Sequence, residues 1–455
     1  MMSENHIKKN LDNKKKDNPP NILDTISNNL WTGCGVCEAA CPVKAISTTV
    51  EKGLFKPHID KNKCNNSKGC HRCYDVCPGI GINLVEMAKK NFNGEGVKED
   101  KMVGRYLRCF TGYSSNHEIR FHSASGGMVS QFLIWLLEKK EIDGAVVTRF
   151  DPNNPLLVKT FIATTRDEII SARSSKYAPV SLHQALCNLK KSTGHRYVVV
   201  GLPCHIQGVR KLMVADKQIR EKIHGLFALY CSSGRSFYLT EHVFHERGIP
   251  KKDLTYFQYR DEGCLGKMVT KYSAAKFDAV KNSKFDGNSS NVEQVYKEEF
   301  QSYYHPLRSF FIPTRCLYCI DHYGELGDIC FGDIHISPYS EDKIGISSVI
   351  VRNHHWLNLL IECQNDAALV LHEVPFQTVS ESQAMSFKKK GRNGAFINIS
   401  RRLGYRVPEY DVNYLRQPTW HDWVDYLSNM FQQFLGRHKT LWPLVTRLKS
   451  KVNIH

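Results

Sequence analysis

Seven cysteines near the N-terminus form two runs, and each run ends in a Cys-Pro pair. The runs are Cys34-Gly-Val-Cys37-Glu-Ala-Ala-Cys41-Pro42 and Cys64-x5-Cys70-x2-Cys73-x3-Cys77-Pro78. An iron–sulfur cube needs four thiolates that converge from short loops, and closely spaced cysteines supply them. The spacing therefore predicts an α+β ferredoxin-like domain over residues 26–90 that holds [4Fe-4S] clusters, built as a strand–helix–strand unit repeated twice.

The two cluster sites predicted from these runs differ in their number of ligands. In ferredoxins the cysteine before proline binds the cluster of the other run. The complete set then consists of Cys41, Cys64, Cys70 and Cys73. The other set consists of Cys34, Cys37 and Cys77. Trp31 stands at its leading position, so a three-iron cluster, a four-iron cluster with a non-cysteine ligand and no cluster at all are open alternatives.

Composition and the N-terminus favour metal chemistry over disulfide bonds. The chain has 455 residues, 42% of them hydrophobic, with 16 cysteines and a formal net charge of +17. The first ten residues, MMSENHIKKN, lack the apolar core of a signal peptide. The longest apolar run, 128–137, is too short to cross a bilayer. We therefore expect a cytoplasmic protein whose cysteines are thiols or metal ligands, with membrane association left open. Structural zinc is the alternative that Cys-x2-Cys spacing allows.

An α/β core is predicted between residues 100 and 355, because short apolar runs alternate with helical stretches. Strands are expected at 142–148, 197–201 and 226–230, and helices at 128–139 and 183–191.

Four segments of this core carry groups suited to chemistry. The small residues of Ser123–Gly127 precede an apolar helix, and a helix N-terminus favours an anion. In Ser-Ser-Lys176-Tyr177, the amine suits a phosphate and the ring a flat ligand. Cys204 and His205 follow a predicted strand, where open α/β sheets place their sites. His205 is the candidate for proton handling, with a structural histidine as the alternative. The fourth segment is Cys316-x2-Cys319-x-Asp321.

Both ends of the chain are predicted to be basic segments outside the core. Residues 1–25 are rich in Lys and Asn and read as a disordered tail. Residues 356–455 are expected to form a largely helical extension, and 386–455 contain 13 Lys or Arg against 4 Asp or Glu. Thr419 and Asp422 resemble a capping box, followed by apolar residues at helical spacing. This extension either packs on its own domain or presents an amphipathic surface to a membrane or partner.

The core motifs, in this order, resemble the coenzyme F-420 hydrogenase/dehydrogenase beta-subunit family, whose members pair a ferredoxin domain with a flavin-binding domain. The matches are Ser-Gly-Gly at 125–127, Ser-Lys-Tyr at 175–177, Gly-x-Pro-Cys at 201–204, Cys-x2-Cys-x-Asp at 316–321, Gly-Asp at 332–333 and the run 345–353. The resemblance covers roughly residues 26–355 and divides the core into regions 100–177 and 178–355. His335 departs from it, since relatives often have Trp at that position.

The resemblance implies FAD and a further [4Fe-4S] cluster in an α/β flavin-binding core. The expected ligands of that cluster are Cys204, Cys231, Cys316 and Cys319. Cys330 is the substitute ligand, and inert core cysteines are the alternative for Cys204 and Cys231. The expected flavin contacts are Ser125, Gly126, Gly127 and Lys176 for the phosphates and Tyr177 for the ring.

Together these features predict an iron–sulfur flavoprotein oxidoreductase that exchanges electrons with a hydride donor or acceptor such as coenzyme F-420. Nicotinamide and reduced ferredoxin are alternative donors. A second hypothesis is a non-catalytic electron-relay subunit that docks a redox partner protein through residues 386–455. A third class, a zinc-bearing nucleic-acid binder, fits the charge and the Cys-x2-Cys spacing. Because the charge is not concentrated with aromatic residues around the cysteines, we expect no nucleic-acid partner.

Overall fold

The first described helix begins inside the segment that the sequence predicts to be a disordered tail. The computed structural model describes residues 18–252, 254–273, 293–307, 309–412 and 415–452. Within the segment expected to be a disordered tail, helix α1 (Ile22–Ser27) begins with a capping box. The Asn21 side chain accepts a hydrogen bond from Leu23 N–H, and Asp24 accepts one from Asn21 N–H. These paired bonds satisfy the first helical donors, so the end of the predicted tail is helical. Residues 1–17 lie outside the described residues.

The ferredoxin-like domain consists of short helices around one hairpin. Its elements are α2 (Val36–Ala40), β1 (Ile46–Glu51), β2 (Leu54–Ile59), α3 (Arg72–Asp75), β3 (Gly81–Ile82) and α4 (Leu84–Asn91), with 3-10 turns at Asn66–Lys68 and Pro78–Ile80. β1 and β2 pair antiparallel. The predicted strand before Cys34 does not form, because Gly33 and Gly35 adopt left-handed φ values of 74° and 77°. The predicted strand–helix–strand repeat is therefore incomplete.

The core begins after a connecting hairpin and contains most of the described strands and helices. The hairpin is β4 (Lys98–Asp100) and β5 (Gly104–Tyr106). The first half of the core holds β6 (Arg108–Ser114), α5 (His117–Phe121), α6 (Met128–Glu138), β7 (Gly144–Asp151), β8 (Asn154–Ala163), α7 (Arg166–Ser171), α8 (His183–Leu189), β9 (Tyr197–Gly201), α9 (Pro203–Ala215) and α10 (Lys217–Lys222). The second half holds β10 (Ile223–Leu229), α11 (Tyr238–Arg247), β11 (Leu254–Asp261), β12 (Lys267–Ser273), β13 (Glu293–Glu299), α12 (Phe300–Leu307), β14 (Ile329–Asp333), β15 (Ser347–Val351), α13 (His354–Asn365) and β16 (Leu369–Glu373), with 3-10 turns at Thr314–Tyr318 and Tyr339–Glu341.

An eight-stranded mixed sheet forms the centre of the core, in the order β16-β6-β15-β14-β10-β9-β7-β8. The four strands from β14 to β7 run parallel. Their apolar residues, such as Val198 and Leu226, are fully buried, as expected for parallel strands covered on both faces. The strands and helices predicted from the apolar runs are all present here. The sheet contains strands from both family-derived regions and also β16, so it continues into the segment assigned to the extension.

The C-terminal extension folds across the ferredoxin-like domain. Its elements are α14 (Phe376–Ser382), α15 (Ala384–Arg402), β17 (Glu409–Tyr410), α16 (Trp420–Arg437) and α17 (Trp442–Val452), with a 3-10 turn at Lys439–Leu441. β17 pairs in parallel with β3. The Asp411 carboxylate accepts hydrogen bonds from the N–H groups of Val85 and Glu86 at the start of α4. The predicted capping box of Thr419 and Asp422 starts α16. The extension is therefore part of the folded unit.

Helix α16 has two apolar faces. Tyr426 is buried and its ring lies 5.4 Å from that of Phe396 on α15. The opposite face carries five large apolar side chains that are between 44% and 71% exposed. This exposed stripe consists of Trp420, Val424, Leu427, Phe431 and Phe434. Among the described helices, this one included, none has the length and hydropathy needed to span a bilayer.

Candidate functional site

The four cysteines of the predicted complete set lie together in the ferredoxin-like domain. Cys41 ends α2, Cys73 lies on α3, and Cys64 and Cys70 flank the 3-10 turn before it. Burial, together with the nearby thiols of Cys70, Cys41 and Cys64, raises the pKa of Cys73 to about 11. The backbone N–H of Ala45 donates to Cys41 Sγ at 3.2 Å, a contact that would stabilise a thiolate ligand.

The three cysteines of the incomplete set also lie together, and they are buried. Burial raises the pKa of Cys34 to about 11, with the Cys77 thiol as the next cause. The pKa of Cys37 is raised by burial and then by Cys34 and Cys77. Gly79 N–H donates to Cys77 Sγ at 3.3 Å. Trp31, at the leading position, donates its indole N–H to the Phe55 carbonyl at 3.1 Å.

A third group of thiols lies in the core and consists of Cys204, Cys231, Cys316 and Cys319. Cys204 is at the start of α9, directly after β9, while Cys231 follows β10. The last two come from the 3-10 turn that begins at Thr314. Burial raises the pKa of Cys204 well above its usual value, with the Cys231 thiol as the next cause. Gly234 N–H donates to Cys316 Sγ at 3.3 Å.

The thiols that shift the pKa of Cys204 and Cys37 show how the three groups are arranged in space. The thiols that raise the pKa of Cys204, after burial, include Cys34 of the three-cysteine group. Those that raise the pKa of Cys37 include Cys73 of the complete set. The three-cysteine group thus lies between the core group and the complete set. Within the described residues, no three His, Cys, Asp or Glu side chains are close enough to hold a single metal ion.

Cys330, the predicted substitute ligand, already has a hydrogen-bond partner in the core. It is fully buried and its thiol donates to the Gly324 carbonyl at 3.1 Å. Burial raises its pKa to about 11, and the nearby guanidinium of Arg352 opposes this increase. The geometry therefore gives Cys330 a packing role.

Helix α15 of the extension closes over the loops that carry the core cysteines. Lys389 Nζ donates to the Cys231 carbonyl at 2.6 Å and to the Asp321 carbonyl at 2.9 Å. Asn393 donates to the carbonyls of Cys316 and Cys319 at 3.2 Å and 2.7 Å. Neither residue was predicted from the sequence. The only available signal was a run of polar residues within a helical stretch, a pattern that more often marks an exposed face.

Arg315 links the three parts of the structure. It is buried, and it donates to the carbonyls of Gly79 at 2.9 Å and Pro78 at 3.0 Å, directly after Cys77. Its third contact is with Tyr410 Oη of the extension at 2.8 Å. Because Cys316 is the next residue, this side chain joins the backbone of the three-cysteine group to that of the core group.

A cavity of about 1880 Å³ opens beside the core thiols. Its wall runs from the start of α6 past the loop 173–178 to Cys231 and Lys389. Helix α6 has no side-chain cap, and its first residues face this space. Lysine and arginine outnumber aspartate and glutamate in the lining, eight to five. The cavity is therefore suited to a large anionic ligand.

The predicted phosphate contacts near α6 are only partly free for a ligand. Ser125 and Gly127 line the cavity. Ser125 Oγ donates to the Ile346 carbonyl at 2.9 Å. Gly126 N–H instead donates to Ser347 Oγ at 3.0 Å, and Gly126 is buried behind the cavity wall. Its tight packing, rather than a phosphate, explains the glycine, because a side chain there would collide with the Gly112 carbonyl.

Lys176 and Tyr177 line the same cavity, and both have partners within the chain. Lys176 Nζ donates to the carbonyls of Ala172, Arg173 and Ser174 at 2.6, 2.6 and 2.9 Å. Burial, with Arg173 beside it, lowers the pKa of Lys176 to about 7. The amine is thus held by the loop that follows α7, and a phosphate contact stays a prediction.

The ring of Tyr177 belongs to an aromatic cluster at the cavity wall. Its centroid lies 4.6 Å from that of Tyr304 and 4.8 Å from that of Phe300. The Tyr177 hydroxyl accepts a hydrogen bond from Arg260 at 3.3 Å. Contact between this ring and a flavin remains a prediction.

His205 has no ring nitrogen free for proton transfer. Its Nδ1 accepts from Leu202 N–H at 3.1 Å, and its Nε2 donates to the Val180 carbonyl at 3.1 Å. Burial lowers the pKa of His205 to about 4. The structure therefore gives this histidine the structural role that was the alternative to proton handling.

We expect His205 to make the fold acid-sensitive. The unfolded chain binds a proton on this ring below about pH 6.5, whereas the folded chain does not until about pH 4. The contribution of His205 to the free energy of unfolding is therefore complete above pH 6.5. It falls by roughly 3 kcal/mol as the pH drops towards 4. Anaerobic urea unfolding at several pH values measures this slope, and His205→Gln should flatten it. The exposed His117→Gln control should leave it unchanged, and equal slopes for both variants would contradict the assignment.

The fold and these thiol groups define a class, a mixed α/β protein with an N-terminal ferredoxin-like 4Fe-4S domain. Residues 32–79 match the model of the 4Fe-4S dicluster domain. Residues 109–187 match "Coenzyme F420 hydrogenase/dehydrogenase, beta subunit N-term", and residues 194–375 match the C-terminal model of the same subunit. The chain belongs to the coenzyme F420 hydrogenase/dehydrogenase beta-subunit family, which confirms the resemblance found in its motifs.

Two of the curated relatives are an oxidoreductase and a subunit of one. The coenzyme F420-dependent sulfite reductase of Methanocaldococcus jannaschii is 24% identical over 73% of this chain and 45% of its own length. One of the subunits of the F(420)H(2) dehydrogenase of Methanosarcina mazei is 27% identical over 47% of this chain and 56% of its own length. The chain thus spans about half the length of these two relatives.

A solved structure shares the fold. A chain of the F420-reducing [NiFe] hydrogenase complex from Methanosarcina barkeri superimposes with a TM-score of 0.50. The likeness covers 68% of this chain and 98% of that chain, at 19% identity. At this identity it supports the α/β architecture alone.

Proposed function

We propose that the chain is an iron–sulfur flavoprotein oxidoreductase that passes electrons between a hydride carrier and [4Fe-4S] clusters by way of FAD. The observation that carries this proposal is the shared wall of the cavity and the core thiols at Cys231. When bound, FAD supplies both hydride exchange and single-electron exchange. The order of the thiol groups from the cavity to the complete set agrees with electron transfer along the chain.

The residues present fit an anionic dinucleotide in the cavity. The uncapped start of α6 offers backbone N–H donors beside Gly127, and cationic residues predominate in the lining. We assign the phosphate contact to this helix end and to Ser125, with Lys176 holding the neighbouring loop in place. Tyr177 borders the same space and remains our proposal for the ring contact.

The core cysteines fit a fourfold thiolate site. An N–H donor faces Cys316 Sγ, and the buried amine of Lys389 is held against the loops of the group. Burial by itself lowers the pKa of Lys389, and the Cys319 and Cys231 thiols reverse this and raise it. A buried cation next to these sulfurs offsets the negative charge of thiolate ligands. We therefore propose Cys204, Cys231, Cys316 and Cys319 as the ligands of a [4Fe-4S] cluster.

Stopped-flow reduction of the bound flavin tests the enzymatic part. Reduced coenzyme F420, a nicotinamide and a reduced ferredoxin are mixed separately with the anaerobic, flavin-loaded protein. We expect reduced coenzyme F420 to bleach the flavin fastest, since the relatives' names include it. If none of the three donors bleaches the flavin, the proposal of a stand-alone reductase is wrong.

Lys389→Met should lower the reduction potential of the core cluster. The substitution removes a buried positive charge beside the thiolates, so adding an electron becomes less favourable. A unit charge over several ångströms in partly screened protein corresponds to a shift on the order of 100 mV. A redox titration followed by EPR measures it. Lys390→Met, which removes the neighbouring buried lysine paired with Glu325 at 2.6 Å, is the control and should leave this potential nearly unchanged.

The second candidate function is a relay subunit that needs a catalytic partner, and the exposed stripe of α16 favours it. Its five residues follow each other at intervals of four, three, four and three, which is the seam spacing of helices that pack side by side. Helix α16 contains one basic residue, Arg437, and two acidic residues, Asp422 and Asp425. This lacks the basic polar face of a helix that lies on anionic lipid. We therefore propose an apolar helix of a redox partner protein as its occupant.

Substitutions in the stripe test this docking. Leu427→Ser with Phe431→Ser should leave the melting temperature within about 2 °C, because both side chains are exposed. The same pair should abolish co-purification with the redox partner and activity that depends on it. Trp423→Ser, on the packed side of the helix, should instead destabilise the fold. If the Leu427→Ser and Phe431→Ser pair instead loses binding to anionic vesicles and keeps binding to the partner, the stripe binds a membrane.

A further inference from the structure

We propose that the group formed by Cys34, Cys37 and Cys77 holds a [3Fe–4S] cluster, so that the centre between the core and the complete ferredoxin site lacks one iron. This inference rests on the iron–sulfur part of the proposed function and is independent of FAD. It differs from the pair of four-iron clusters that the matched dicluster model describes for residues 32–79.

The leading ligand position is filled by a side chain that cannot bind iron. Trp31 has one polar atom, and it is a donor only. That N–H is already bound to the Phe55 carbonyl at 3.1 Å. Gly33, two residues on, holds the loop so close that its Cβ position lies 3.0 Å from the same carbonyl. The loop is therefore fixed against β2, and the fourth corner of the site receives no ligand from Trp31.

Among the described cysteines that belong to none of the three groups, none takes the place of the missing ligand. Cys187 lies on α8, which packs against α2. Its charged surroundings are Glu38, Lys190 and other lysines, not the three thiols. The remaining unassigned cysteines belong elsewhere: Cys109, Cys330 and Cys363 are buried in the core, and Cys264 lines the cavity.

Two buried hydroxyls indicate that this site contains a ligand. Thr32 Oγ1 lies beside the Cys34 thiol, and Thr25 Oγ1 lies beside the Cys77 thiol. Both oxygens are inaccessible to solvent, and neither has a hydrogen-bond partner among the described residues. Buried hydroxyls normally find a partner. Sulfide ions of a cluster held by the three cysteines would supply one, which disfavours an empty site.

The flanking structure keeps the site closed around three ligands. A side chain at Gly35 would collide with Ser181 and His183. On the other side a side chain at Gly208 of α9 would meet Val36 and Pro78. The core therefore packs tightly against both runs that carry the three cysteines.

EPR spectroscopy of the full-length protein, purified without oxygen and then oxidised, tests the inference. The native chain should show the near-isotropic signal of an oxidised three-iron cluster, at about one spin per chain. Trp31→Cys supplies the missing thiolate, so the signal should disappear and the iron content should rise by one atom per chain. Trp31→Phe keeps an aromatic ring without a ligand and should retain the signal.

Further treatments and variants distinguish a native three-iron cluster from a damaged four-iron cluster and from an oxygen-ligated one. A damaged four-iron cube loses its three-iron signal after treatment with ferrous iron, sulfide and reductant, followed by mild reoxidation; loss of the native signal under these conditions overturns the inference. Thr32→Val should keep the signal, whereas an oxygen-ligated cube would give the signal only in this variant. Cys204→Ser should remove core iron and spare the signal. Failure of the core cluster alone would therefore leave this inference standing.

Discussion

Replacement of Cys316 by serine is expected to remove one cluster from the protein, about a third of its iron, and to leave the ferredoxin-like clusters in place. Cys316 comes from the same 3-10 turn as Cys319 and accepts the Gly234 N–H, so it is a central member of the core group. The seven cysteines of the two N-terminal runs lie on separate loops. Anaerobic iron and sulfide analysis, with low-temperature EPR of the reduced protein, measures the loss.

Two further variants make this test specific. Cys316→Ala should give the same loss without a hydroxyl that could bind iron in place of sulfur. Cys330→Ser removes a fully buried thiol that donates to the Gly324 carbonyl, and it should keep the full iron content. Unchanged iron in both Cys316 variants would contradict the core cluster, while loss in Cys330→Ser would make that residue a ligand.

The ferredoxin-like domain was the most predictable part of the site. Cysteines three or four residues apart, such as Cys34 and Cys37, lie close together in a short loop or helix. Their spacing, with the ferredoxin rule that the cysteine before proline binds the cluster of the other run, predicts the groups. The missing ligand at Trp31 is equally visible in the sequence. The core set required the family resemblance, because Cys204 and Cys316 are more than one hundred residues apart and no local pattern joins them.

The supporting side chains could not be predicted in the same way. Lys389 and Asn393 reach the core cysteines from a helix about seventy residues further along the chain. Their buried position depends on how α15 crosses the 3-10 turn, and a run of lysines normally indicates an exposed face. The structural role of His205 could not be predicted for a related reason. A histidine beside a candidate ligand suggests chemistry, but its backbone partners at Val180 and Leu202 are a tertiary feature.

Placement of the extension changes how its charge is interpreted. Lys389 and Lys390 contribute to the basic excess of residues 386–455, yet both are buried in the described structure. The excess is therefore only partly a surface property. The docking candidate that remains is the apolar stripe of α16, whose helix is not basic.

Arg315→Met should separate the ferredoxin-like domain from the core. The substitution keeps most of the apolar stem but removes hydrogen bonds to the Gly79 and Pro78 carbonyls and to Tyr410 Oη. Both carbonyls are left buried without this charged donor, and we expect a loss of about 3 kcal/mol in the free energy of unfolding. Because these carbonyls directly follow Cys77, the same change should slow electron transfer between the core group and the three-cysteine group.

The control for this variant is Arg437→Met, which makes the same chemical change beside the same 3-10 turn. From the exposed end of α16, Arg437 donates to Thr314 Oγ1 and to Gln433 Oε1, both outside the ferredoxin-like domain. Thermal unfolding should show a small effect for Arg437→Met and a large one for Arg315→Met. In a rapid-freeze EPR experiment, the ferredoxin-like clusters of Arg315→Met should be reduced more slowly than the core cluster. Normal reduction kinetics with lowered stability would restrict Arg315 to a role in folding, since a bridge that positions the two groups must affect both measurements.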